Sequence, residues 1–440
     1  MSVEGIIKDL RNEVESIYSQ RKYLSEDLFV FCSHCRKRNI DSVIEEQYLA
    51  MENDCGECQS IRQELTSEVA GLFEALGFSR EDLEKDLKNR ANRKNLIAIL
   101  QGIFTNGPSV PLSFPQSCSF ELTYRCNLRC KHCYIGVQPP TEEMDTKSAL
   151  KVIGKIAETG FGMFELCGGE PLMRDDLSVI AKEIKSYGMT VNLSTNGTLL
   201  SQDKVRELKP YVDEAMISVD SHEESNHDNF RGEAGALKLS LEGIRNCVDN
   251  DIPVNIYTTL TTFIHTKLPE FVNCMKKLKV SSITFFDLNP VGRGSTVGAE
   301  FRLSLKDLGA AFDTLHRLKD ESDVEIHALA PFKFVMDEKA LSKNTILSGG
   351  FCNAGINSLS ISPDGDLFAC TRVRTKLGNA LRDEIRNIWW SSPVLSELRD
   401  RSKLKGECGK CEYKYVCGGC RANAYIEHSD HLMEDPRCIC

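Results

Sequence analysis

Three cysteines stand close together at Cys126, Cys130 and Cys133, in a C-x3-C-x2-C spacing that ends on the aromatic Tyr134. A short apolar run, Ser119 to Leu122, leads into them. A cubane iron–sulfur cluster has four irons, and each needs one ligand besides the bridging sulfides; protein clusters of this type normally take four cysteines. Three close cysteines with no fourth nearby leave one iron open, and an open metal position is where chemistry occurs. The plain reading of the same residues is a structural zinc knuckle or three scattered thiols.

The rest of the cysteine inventory bears on that choice. The chain of 440 residues holds 19 cysteines, clustered as four in 32–58, three in 126–133 and eight in 352–440. In a chain of this size without secretory features such clusters read as metal ligands before disulfides. Cys118, Cys167, Cys247 and Cys274 stand alone and read as small buried hydrophobes; Cys167 adjoins a glycine motif and is a weaker candidate neighbour of the ligands. Cys32, Cys35, Cys55 and Cys58 form two C-x2-C knuckles 19 residues apart, a spacing that suits a closed tetrahedral zinc site, with a further iron–sulfur cluster as the alternative.

Length implies two or three domains. Hydrophobic content of 41% and charged content of 27% are those of an ordinary globular enzyme. A net charge of −10 gives no global basic field for nucleic acid. No apolar run reaches the roughly 18 residues a membrane span needs, and the N-terminus reads as a charged amphipathic helix, not a signal peptide. The expected location is the cytoplasm.

Residues 1–105 carry helical periodicity, as at Ile6, Leu10, Val14 and Ile17. Gly107, Pro108, Pro111 and Pro115 mark a linker. Beyond it, short apolar strands alternate with amphipathic helices. The strands read as Ser119–Thr123, Gly162–Leu166, Thr190–Ser194, Glu214–Val219, Pro253–Thr259 and Ser282–Asp287, with helices near 145–159, 175–187, 201–209, 235–249 and 267–278. Their spacing of 24 to 43 residues fits βα units of a parallel sheet. Six such units suggest a partial barrel over 115–310. A connector over 311–350 and a small cysteine-rich module over 351–440 follow.

Strand ends are where parallel sheets bind ligands. Gly168-Gly169-Glu170-Pro171 ends the second strand, about 35 residues after the cysteine loop. Glycines admit close backbone approach and a carboxylate can receive an ammonium group; alone, the same residues make a common turn. Ser194 and Asn196 end the third strand and Ser218 and Asp220 the fourth. Their polar groups suit ribose hydroxyls and a carboxylate, or else an Asn-Gly turn and a helix cap.

The cysteine spacing and the GGE segment together resemble the radical S-adenosylmethionine (radical SAM) superfamily. The resemblance implies a (β/α)6 barrel and a cluster on Cys126, Cys130 and Cys133 whose open iron is chelated by the methionine end of SAM. It implies that Gly168, Gly169 and Glu170 hold the SAM amino group. Ser194, Asn196, Ser218 and Asp220 would meet the ribose and carboxylate, and Thr258 and Leu288 the ribose and adenine. His227 to Gly232 resembles the family's HDxxRG segment, making Arg231 a candidate carboxylate partner; Pro290 to Gly294 resembles PxGRG.

The C-terminal cysteines resemble the SPASM extension of that family. There Cys408, Cys411, Cys417 and one of Cys438 or Cys440 would hold an outer auxiliary cluster. Cys352, Cys370 and Cys420 would hold an inner one with its fourth ligand unassigned. A zinc ribbon is the plain alternative for Cys408–Cys420. The tail is similar to the subgroup of haem-pathway and mycofactocin maturases, while Thr371 replaces the Asp that sulfatase-maturing relatives carry.

The fold expected is therefore α/β: a partial (β/α)6 TIM-like barrel, an N-terminal mostly helical four-cysteine module and a C-terminal SPASM domain. The resemblance implies a radical SAM oxidoreductase. It would cleave SAM to a 5′-deoxyadenosyl radical, take hydrogen from an unactivated carbon and oxidatively modify a tetrapyrrole side chain, a peptide or a small-molecule precursor. A ferredoxin- or flavodoxin-type protein would supply electrons. The contrasting reading is a non-catalytic iron–sulfur electron carrier or redox sensor.

Overall fold

The computed structural model describes residues 117–136, 142–158, 162–329, 352–356, 358–411, 414 and 417–439. The N-terminal helical module, its four cysteines Cys32, Cys35, Cys55 and Cys58, the linker prolines and Cys440 lie outside the described residues.

Ten strands form one sheet in the order β10-β9-β8-β1-β2-β3-β4-β5-β6-β7. The first six are β1 (Ser117–Glu121), β2 (Met163–Cys167), β3 (Thr190–Thr195), β4 (Glu214–Ser218), β5 (Val254–Leu260) and β6 (Ser282–Asp287), each parallel to the next. Each falls within two residues of its expected start. The helices between them, α1 (Thr146–Glu158), α2 (Leu177–Ser186) and α3 (Gln202–Leu208), likewise match the periodicity. Their apolar stripes cover the outer face of the sheet, where Phe120, Phe164, Val191 and Ile217 are fully buried.

Two features depart from the expectation. The stretch expected as connection carries a seventh parallel strand, β7 (Glu325–Leu329), registered on β6. The C-terminal module is also continuous with the barrel sheet. Its strand β8 (Ser358–Ile361) pairs parallel with β1, and β9 (Asp366–Phe368) and β10 (Gly378–Asn379) extend that edge antiparallel. Two buried ion pairs reinforce the join. Arg374 grips Glu121 with both guanidinium nitrogens at 2.8 and 2.6 Å, and Arg437 grips Asp287 at 2.6 and 3.0 Å.

The inner face of the strands is polar. Side chains alternate along a strand, so Glu165, Ser194, Ser218, Tyr257 and Thr259 face inward while their neighbours enter the apolar core. The lumen is thus a site and not a packed barrel interior.

Candidate active site

The loop after β1 carries Cys126, Cys130 and Cys133, and three other segments pin its backbone. From the loop after β2, Gly169 N–H donates to the Thr123 carbonyl at 2.7 Å and Glu170 N–H to the Arg125 carbonyl at 2.8 Å. The helix α4 (Glu224–Arg231) supplies two acceptors: Lys131 N–H reaches the Phe230 carbonyl at 2.9 Å and Arg129 N–H the Arg231 carbonyl at 3.2 Å. From the loop after β6, Arg293 N–H donates to the Cys133 carbonyl at 3.0 Å and its Nε to the Cys130 carbonyl at 2.8 Å. The GGE, HDxxRG and PxGRG segments thus share one structural task, holding the cysteine loop in place.

This gives the two glycines a more direct reason than ligand approach. A Cβ on Gly169 would lie 2.2 Å from the Arg125 carbonyl oxygen, and one on Gly168 2.4 Å from that of Thr123. Gly168 also has φ of +131°, which side chains rarely adopt. Both still border the cavity.

Glu170 is held by the chain itself. The carboxylate is fully buried and its oxygens are taken by Thr195 Oγ1 at 2.7 Å, Asn196 N–H at 2.8 Å and Leu172 N–H at 3.1 Å. It braces the β2 and β3 ends and does not line the cavity. Asp220 is likewise buried behind the wall. It accepts from Arg231 Nε at 2.6 Å and from Thr259 N–H at 2.9 Å. Thr258 points the wrong way, donating to the Val219 carbonyl at 2.8 Å inside the core. Thr259 is the cavity residue, because a shift of one position along a strand exchanges faces. Thr259→Val is therefore expected to slow 5′-deoxyadenosine formation at unchanged melting temperature. Thr258→Val should lower stability by about 1 kcal/mol and leave the rate near wild type. Rate assays and thermal melts on the pair check this; the opposite pattern refutes the assignment of faces.

Ser194, Asn196, Ser218, Arg231 and Leu288 do border the cavity, which has a volume of about 410 Å³, within the range of small-molecule sites. The three cysteines are part of its lining. Thr371 and Arg372 of the C-terminal module also line it. His132, Glu165, Tyr257, Phe286 and Arg372 also line the cavity, though no motif in the sequence marks them as binding residues. His132 stacks on Phe230 with ring centroids 4.1 Å apart, and burial holds its imidazole down to about 3, so it is neutral. Glu165 accepts from Ser119 Oγ at 2.8 Å, and burial raises its carboxyl above the ordinary range. Inward parity along β2 and β5 was the available signal for Glu165 and Tyr257.

The thiols fit an iron–sulfur group. Cys126 Sγ accepts from Leu128 N–H at 3.4 Å, and Arg231 reaches Cys130 Sγ at 3.9 Å. These donors would stabilise thiolates once a metal replaces the protons. Burial pushes the Cys126 thiol up to about 11, with Glu170, Cys130 and Cys133 adding to it. In the C-terminal module, Cys352, Cys370 and Cys420 gather around Arg372. Cys408 and Cys438 lie beside Cys417. Cys408 Sγ and Cys417 Sγ accept from Asp435 and Gly419 N–H groups, each at 3.4 Å. Among the described residues no three side chains converge on a single ion; a cubane instead takes one thiolate per iron.

Comparison with known proteins settles the family. Residues 120–278 match the Radical SAM superfamily, and residues 352–412 match the iron-sulfur cluster-binding SPASM domain. The AdoMet-dependent heme synthase of Methanosarcina barkeri is 34% identical over 339 residues, which is 74% of this chain and 96% of that protein. The chain belongs to the radical SAM superfamily, with a SPASM domain. The pre-heme d1 synthase of Dinoroseobacter shibae is 31% identical, over 72% of this chain and 85% of its own length. Streptococcus suis SuiB bound to S-adenosylmethionine has the same fold, with a TM-score of 0.67 at 17% identity over 95% of this chain and 100% of SuiB. As a radical SAM enzyme the chain binds SAM and iron–sulfur, so the reading as a non-catalytic carrier is set aside. No helix among the described residues is long and apolar enough to cross a membrane.

Proposed function

We propose that this radical SAM/SPASM enzyme oxidatively modifies a side chain of a tetrapyrrole. The observation that carries the reading is one cavity lined both by the Cys126–Cys133 loop and by the Thr371–Arg372 segment, the latter beside the inner cysteines. A substrate held between them would meet the site of radical formation and a site for the departing electron. The names of the two relatives, both haem-forming synthases, supply the substrate class.

An iron–sulfur group held by Cys126, Cys130 and Cys133 would supply the electron that cleaves SAM. The chain's own residues fix where this happens. Arg293, Gly169 and Lys131 hold the thiol loop rigid. Ser194, Asn196, Ser218 and Thr259 offer hydroxyl and amide partners to SAM around the rim. Tyr257 and Phe286, ring centroids 4.8 Å apart, give an aromatic wall suited to a planar macrocycle. Thr371 and Arg372 bring the C-terminal module to the cavity wall, where it would help to keep water from the radical. Further auxiliary clusters on the inner and outer cysteine sets, a ferredoxin- or flavodoxin-type donor, cytoplasmic location and zinc on Cys32, Cys35, Cys55 and Cys58 are parts of the same proposal.

The test is anaerobic reconstitution with iron and sulfide, followed by dithionite, SAM and an iron porphyrin bearing propionate groups. Wild type should form 5′-deoxyadenosine and change the porphyrin's mass and absorbance, and Cys130→Ala should do neither. Equal 5′-deoxyadenosine from both chains would sink the site assignment. SAM cleavage with the porphyrin untouched, but with a peptide precursor altered, would replace the substrate class.

A further inference from the structure

Arg372 is the cation of the cavity wall whose purpose the barrel does not explain. Its neighbours Arg374 and Arg437 pair with Glu121 and Asp287, and Arg231 pairs with Asp220. Among the described residues no carboxylate pairs with Arg372. Its half-buried guanidinium instead lies beside the sulfurs of Cys370, Cys420 and Cys352. Its own backbone N–H donates to Cys370 Sγ at 3.4 Å. The same side chain borders the reaction cavity. Arg401 meets the inner set from another direction, where it donates to the Cys352 carbonyl at 3.2 Å. Arg421 serves Cys408, at 3.5 Å from its sulfur. Arg372 alone of these three borders the cavity.

A half-buried cation without a carboxylate still loses part of its hydration, and an anionic neighbour offsets that cost. An iron–sulfur group on Cys352, Cys370 and Cys420 would be that anion. Net charge and hydrogen bonds to sulfur are among the main determinants of such a group's reduction potential. A positive charge at contact stabilises the more negative, reduced state and raises the potential. We propose that Arg372 poises the inner cysteine set as the electron acceptor of the cavity, by holding the potential of its iron–sulfur group up. One electron would leave the substrate-centred radical and enter the inner group, which passes it to an external one-electron carrier. Arg372 itself neither gains an electron nor loses a proton. This inference rests on the proposed presence of an inner auxiliary cluster.

The experiment isolates the C-terminal groups. A Cys126→Ala/Cys130→Ala/Cys133→Ala chain is reconstituted anaerobically, its iron is counted, and its reduction is followed by electron paramagnetic resonance against applied potential. Adding Arg372→Gln should lower one potential by about 59 mV or more, a tenfold change for one electron. Arg372→Lys, which keeps the charge, should stay near the parent, as should Lys376→Gln, whose side chain is exposed and paired with Asp366. An unchanged potential in Arg372→Gln overturns the proposal. So does loss of iron from both Arg372→Gln and Arg372→Lys, which would make Arg372 a scaffold only. A parent chain holding no iron in the C-terminal module would remove the auxiliary cluster itself, a distinct failure read before any potential is measured.

Discussion

Gly169→Ala is expected to reduce 5′-deoxyadenosine formation by about 10²-fold or more while the chain still folds. The added methyl would sit 2.2 Å from the Arg125 carbonyl oxygen, which is backbone and cannot swing aside. Relief needs a movement of roughly 1 Å in the loop that carries Cys126, and displacement on that scale costs about 10²-fold in a reaction that depends on positioning. Two hydrogen bonds between the loops, at 2.7 and 2.8 Å, would be lost or stretched in the same movement. Iron content after reconstitution and the rate of SAM cleavage measure the effect, with circular dichroism to confirm the fold. A wild-type rate in Gly169→Ala would mean that the cysteine loop tolerates displacement, against the account given of the GGE segment.

Arg231→Ala should be the most destabilising change at the strand ends. Asp220 is fully buried and Arg231 nearly so, and their 2.6 Å contact compensates both charges. Removing one partner of a buried pair costs about 3–5 kcal/mol. Burial alone would raise the Asp220 carboxyl, but Arg231, with His132 and His227, outweighs it and brings it down to about 2. A carboxyl so depressed contributes stability that is complete above its ordinary pKa of about 4 and is lost as pH falls through about 2. In Arg231→Ala, burial has lost its main opponent and the carboxyl protonates more readily. The deficit against wild type is therefore largest at neutral and alkaline pH and shrinks on acidification. Urea denaturation across pH checks the sign; a deficit that grows toward low pH would refute it. Arg231→Leu/Asp220→Asn, which removes both charges, should recover much of the loss.

The strands and helices of the barrel were legible because each carries a local signal. Runs such as Thr190–Ser194 read as strands buried on one face, and Leu177, Ile180, Ala181 and Ile184 repeat at helical spacing. The motifs were legible as a set, yet their jobs were not. Glu170 and Asp220 are carboxylates at strand ends, and sequence alone does not show that Thr195, Asn196 and Arg231 satisfy them from within. Thr258 and Thr259 are chemically identical, and only the register of β5 decides which faces the lumen. Long-range partners carried no signal at all. Glu121 and Arg374 are 253 residues apart, and neither has a distinctive neighbour sequence. The pairing of β8 with β1 was invisible for the same reason.

That pairing sets an order of events in the making of the protein. During synthesis β1 is made before the rest of the barrel and its partner β8 only after it, so one edge of β1 stays unpaired until the last part of the chain emerges. Closing so long a loop is slow, since its entropy is lost before any contact is gained. Over that interval β1 presents open backbone donors and acceptors, a hazard for strand-to-strand aggregation. The Cys126–Cys133 loop hangs from the same strand. Its thiols are thus made early, while the C-terminal residues that complete the cavity lining arrive late, which leaves the loop accessible to iron–sulfur delivery before the wall is complete.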